Sequence, residues 1–178
     1  MMSIGWKKTN WDYATLWVLV SIFSRIIPHP ANATATISLA LWAPLFFHRS
    51  FGLIITLVSL SVSDVCLHFL MGYPLLGSWS LFTYFATAAL VLFNRSHGKN
   101  MLPITIVGSF IFWIWTNFGT WLCTNDLYPK TASGLLICFE AGIPFLKNSL
   151  IASVAYSFIL SWVYQQKLHA VEASPAYK

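Results

Sequence analysis

Of the 178 residues, 57% are hydrophobic and only 8% are charged, against roughly 25% charged in soluble domains. That balance excludes water as the principal solvent and leaves a membrane domain as the expectation. The formal charge of +5 comes from ten Lys and Arg residues placed singly or in pairs, with no basic stripe, so nucleic acid is excluded as a partner.

The chain opens with Lys7 and Lys8 ahead of a first apolar run, Trp11 to Ile27. Ala31-Asn32-Ala33 has the small-residue pattern of a signal-peptidase site. Arg25, Pro28, His29 and Pro30 make an ill-suited approach to it, so the run is expected to stay as a helix. Beyond the Pro28-His29-Pro30 break, Ala33 to Phe47 is short of the roughly 20 residues a span needs. It is expected to enter the bilayer as a bent or re-entrant segment. Phe51 to Met71, Leu75 to Phe93 and Met101 to Trp121 are full apolar runs. Thr131 to Ile143 is apolar apart from Glu140 but too short to cross, and it reads as an outer interfacial helix ending at Pro144. A sixth span, Phe145 to Tyr164, follows, and the polar tail 165–178 is expected to be mobile. The expected fold is therefore all-α: a polytopic membrane bundle of about six transmembrane helices over 11–164, behind a short N-terminal segment, 1–10.

Positive loops tend to stay in the cytoplasm. With both termini inside, Lys7, Lys8, Arg49, Arg95, Lys99, Lys167 and Lys178 are cytoplasmic, and only Arg25, Lys130 and Lys147 are outside. Asp64 then lies about 20 Å along the third run, in the outer half of the membrane. His68 at i+4 and Ser61 at i−3 share its face. An acid at mid-helix costs roughly 2.5–3.5 kcal/mol on insertion scales, so it should face a partner, and Arg25 is available. A packing ion pair without a ligand is the plainer alternative.

The fifth run carries Trp113, Thr116, Asn117, Thr120 and Trp121 on one helical stripe. The Asn117 amide must satisfy its donors and acceptor with another helix or with a bound molecule. Asn125, Asp126, Glu140, Asn148, His29 and Asn32 also fall on the outer side. The asymmetry points to an outward-open pocket lined by Arg25, Asn32, Asp64, Asn117, Trp121 and Glu140, with His29, His68, Trp113 and Asn148 as further ligand-binding candidates. Ser149, Ser153, Ser157 and Ser161 step at i+4 and form a small-residue seam, internal or against another subunit. Cys66, Cys123 and Cys138 occupy no metal-binding or redox spacing. No nucleotide-binding, hydrolase or metalloprotease motif occurs, so neither cofactor nor metal is expected.

Several ordered motifs carry a likeness: Arg25 to Asn32, Ser63-Asp64, Thr116 to Trp121, Tyr128 to Thr131 and Ile143 to Asn148. Together they resemble a family of small bacterial membrane proteins of unknown function. That family is distantly similar to the substrate-binding S components of energy-coupling factor vitamin transporters. The resemblance implies six helices, a bacterial inner-membrane location with both termini cytoplasmic, and a micronutrient-like small-molecule ligand. It also implies a transmembrane coupling subunit with cytoplasmic ATPases as partner, besides membrane lipids. The docking seam usual in the first helix of S components is represented here only by Ala14. A second expectation, from another class, is an intramembrane enzyme acting on a lipid or quinone head group, with Asp64, His68 and Glu140 as acid and base. A third is a small assembly subunit that uses the serine seam.

Overall fold

A computed structural model describes residues 9–77, 80–95, 98, 100–124 and 127–172. Lys7, Lys8, Lys99, Asn125, Asp126 and the tail beyond Glu172 lie outside the described residues. Six helices follow one another: α1 (Thr9–Ile26), α2 (Thr36–Phe46), α3 (Arg49–Met71), α4 (Ser80–Phe93), α5 (Met101–Cys123) and α6 (Ala132–Glu172). The described residues contain no strand. Lipid offers no partner for a free backbone amide, and helices satisfy those groups internally.

Three of the six, α3, α5 and α6, are long and apolar enough to cross a membrane, while α2 and α4 are shorter apolar helices. The expected six spans are thus six helices of unequal reach. With 11 residues, α2 is about 16 Å long, roughly half the hydrocarbon thickness. It is apolar all round, as a helix enclosed by others must be. It packs against each of the other five helices, and Leu39, Ala40, Leu41, Trp42 and Ala43 are buried along it.

The core is aromatic and concentrated where α2 ends. Trp17 lies 5.0 Å from Phe46 and 5.2 Å from Phe47, centroid to centroid, and Phe46 lies 5.5 Å from Tyr164. Lys167 closes this end. Its Nζ donates to the Phe46 carbonyl at 2.6 Å and sits 5.3 Å from the Tyr13 ring centre. A cation beside the last carbonyls of α2 opposes the negative end of the helix dipole. The same contact brings the start of α1 and the end of α6 to one end of the bundle.

The expected interfacial helix over 131–143 is not a separate element. It is the first third of α6, a helix of 41 residues that runs through Pro144 without a break. The proline removes one donor, the usual reason to end a helix. Here the flanking turns are held by α5 instead. The Trp113 indole donates to the Gly142 carbonyl at 2.8 Å, and the Cys138 thiol lies 3.4 Å from the Asn117 carbonyl. Helix continuation also reaches Glu172, so part of the expected tail is helical.

The serine seam is internal. Ser38 on α2 donates to the Ser153 carbonyl at 2.7 Å, and Ser157 lies within hydrogen-bond reach of Ser38, 3.3 Å, and Thr105, 2.9 Å. Small residues at i+4 spacing here admit α2 and α5 against α6.

Candidate functional site

Asp64 and Arg25 meet. Arg25 stands in the last turn of α1, where a cation complements the helix dipole. Its Nη2 lies 2.6 Å from Asp64 Oδ1, with the two side chains only 18% and 16% exposed. Nη1 donates to Ser63 Oγ at 2.5 Å and to the Leu60 carbonyl at 3.3 Å. The second carboxylate oxygen of Asp64 accepts from the Tyr84 hydroxyl at 2.8 Å, and Ser61 Oγ lies 3.2 Å from that hydroxyl. Three helices, α1, α3 and α4, thereby converge on one ion pair whose polar valences are mostly met within the protein. Burial of such a pair is tolerable only with these added hydrogen bonds.

This cluster forms one wall of a cavity of about 510 Å³. Residues of the connection between Ile27 and Thr34 line it, together with Leu67, Met71, Tyr73 and Pro74 and with Ser80, Thr83 and Tyr84 of α4. The α1–α2 connection and its junction with α2 are held by three hydrogen bonds, from α1 and α6. Ser24 Oγ accepts from the Ala35 amide at 3.2 Å, Asn148 Nδ2 donates to the Ala31 carbonyl at 3.0 Å, and Ser149 Oγ donates to the Asn32 carbonyl at 3.2 Å. Asn32 adopts φ 65°, a left-handed conformation that Asn accepts more readily than most residues.

Of the ten candidates from the sequence, four line this cavity: Arg25, His29, Asn32 and Asp64. The other six do not. His68 Nδ1 lies 2.7 Å from the Tyr73 carbonyl, so it secures the turn after α3, where Gly72 takes φ 73°. Asn148 serves the loop, as above. Asn117 donates to the Trp113 carbonyl of its own helix at 2.8 Å, and Trp121 donates to the Pro129 carbonyl at 2.9 Å. Trp113, Asn117 and Trp121 thus belong to the α5–α6 seam. Glu140 is exposed on α6. The single pocket joining Asp64, Asn117 and Glu140 therefore separates into a cavity and a packing interface. The Asn117 amide donates within α5 while its Oδ1 packs against Gly142 of α6, and Asp64 lines the cavity whereas His68 and Glu140 do not.

The seam is tight for a definite reason. A Cβ on Gly142 would fall 2.4 Å from Asn117 Oδ1 and 2.8 Å from Trp113 Nε1, so only glycine fits. Where α5 ends, Lys130 donates to the carbonyls of Trp121, Leu122 and Thr124, capping the helix, and lies 5.4 Å from the Trp121 ring centre.

Tyr84 is the site residue that sequence reasoning passed over. Ser80, Thr83, Tyr84 and Thr87 step at i, i+3, i+4 and i+7 through an otherwise apolar helix. That stripe marks one polar face, and its first three members line the cavity.

Fold and site together define a polytopic helical membrane protein with a part-buried ion pair at the wall of a cavity. Residues 7–173 match the family of unknown function DUF6580, and the chain belongs to that family. No curated protein and no solved structure matches it.

Proposed function

We propose that this protein is a membrane-embedded binding subunit that captures a small polar molecule in the cavity between α1, α3 and α4. The observation that carries the reading is the Arg25–Asp64–Tyr84 cluster on the wall of a cavity of about 510 Å³, within the range of small-molecule sites. Arg25 and Asp64 neutralise each other, which favours a neutral or zwitterionic guest over an anion. The Tyr84 hydroxyl, the Asn32 amide and the His29 ring supply direction, and Leu67, Met71 and Pro74 supply apolar contact. In the finer form of the proposal the subunit is of S-component type. It sits in a bacterial inner membrane with both termini cytoplasmic, and it works with a transmembrane coupling protein and cytoplasmic ATPases. The distribution of Lys and Arg and the shared end of α1 and α6 support that orientation.

The test is retention. Protein purified in mild detergent from cells grown in rich medium is denatured, and the released small molecules are identified by mass spectrometry. The wild type is expected to carry one compound near stoichiometric amounts. Asp64→Asn and Tyr84→Phe should each lower it about tenfold or more, the effect of one charge-assisted hydrogen bond. Wild-type protein releasing nothing above the level of an unrelated membrane protein, with both variants indistinguishable from it, overturns the proposal.

A further inference from the structure

A second concavity has the opposite chemistry. Between α4 and α5, over Leu41 of α2, lies a groove of about 800 Å³ whose lining is apolar except at one end, where Asn94 and Arg95 stand. Among the lining residues there is no acid. Arg95 is exposed, and it makes no ion pair with the described residues. The backbone that presents it is fixed: Asn94 Nδ2 donates to the Leu41 carbonyl at 2.5 Å, and Arg49 donates to the Asn94 carbonyl at 3.0 Å.

We propose that this groove seats one acyl chain of an anionic phospholipid, with Arg95 on the lipid phosphate. Its length decides the occupant. From Phe85 to Phe93 the groove follows α4 for about 12 Å, with Arg95 just beyond the helix end, and from Pro103 to Trp115 it follows α5 for about 18 Å. Half of a hydrocarbon core of about 30 Å is one leaflet, the depth of one lipid chain. A docked transmembrane helix would need a track about twice as long. Arginine suits the fork of a phosphate, and basic sites between helices recognise anionic head groups. The site is separate from the Arg25–Asp64 cavity and does not depend on its ligand.

Native mass spectrometry of the full chain in nonionic detergent, with equimolar dioleoylphosphatidylglycerol and dioleoylphosphatidylcholine added, tests this. The two lipids share their chains, so the ratio of adducts reads the head group alone. The wild type should retain the glycerol lipid about fivefold over the choline lipid, the contribution of one basic residue at an anionic surface. Arg95→Gln, at an exposed position that leaves the core intact, should bring the ratio close to parity. Ala89→Trp, which fills the groove, should lose both adducts. Equal retention of the two lipids by the wild type, or an unchanged ratio in Arg95→Gln, overturns the proposal. So does a wild-type dimer that Ala89→Trp dissociates without loss of lipid, which gives the groove to a second copy.

Discussion

Removing the Asp64 carboxylate should cost far more than removing the whole ion pair. In Asp64→Ala the Arg25 guanidinium, 18% exposed, keeps only Ser63 Oγ and the Leu60 carbonyl as neutral acceptors, and the Tyr84 hydroxyl loses its carboxylate. An uncompensated charge in such a place costs about 3–5 kcal/mol. Replacing both partners by apolar side chains of similar volume, Arg25→Met with Asp64→Leu, leaves no stranded charge and should cost within about 1 kcal/mol. The difference, about 3 kcal/mol, is the cost of the stranded charge, and the coupling itself follows from a cycle of Asp64→Leu, Arg25→Met and the double variant. Unfolding in mixed micelles of rising denaturing-detergent fraction, followed by tryptophan fluorescence, measures each term. An Asp64→Ala variant less than about 1 kcal/mol below wild type, or a double variant that loses the sum of its singles, refutes the reasoning. The double variant also separates stability from binding: it should fold and yet release no retained small molecule.

Three further outcomes follow from contacts elsewhere in the bundle. Gly142→Ala forces Asn117 or the helix backbone aside and should destabilise by about 1–3 kcal/mol, read by the same unfolding assay. Ser153 carries a buried hydroxyl with no hydrogen-bond partner, so Ser153→Ala should be neutral or stabilising, whereas Ser38→Ala forfeits the bond to the Ser153 carbonyl and should cost about 1 kcal/mol. Lys130→Met uncaps α5 and should lower stability by about 1 kcal/mol, with hydrogen exchange rising first at the amides around Thr120 to Thr124.

Apolar runs located every helix, because burial in lipid demands an unbroken stretch whatever the tertiary arrangement. The Arg25–Asp64 pair was equally legible, since opposite charges in hydrocarbon have few other options. Asn117 was not. Spacing placed it on one stripe with Trp113 and Trp121, but a stripe does not say which helix it faces, and an amide can be satisfied by a carbonyl one turn back. The continuity of α6 was hidden for a related reason. Pro144 and Glu140 read locally as an ending, whereas the hold exerted by Trp113 across the seam is a contact between positions 29 residues apart. Tyr84 was overlooked because it and its stripe partners Ser80, Thr83 and Thr87 carry only hydroxyls, with no charge to mark them in a run counted as apolar.

The half-length helix α2 carries an implication for how the protein is made. It enters the membrane second, yet its Ser38 finds its acceptor on Ser153, 115 residues downstream, and its end is closed by Lys167. Too short to span the hydrocarbon alone, it gains these two contacts only once the final helix has been made. Assembly of this bundle therefore finishes after translation of its last segment, and a chain truncated before Ser149 leaves its own centre open to lipid.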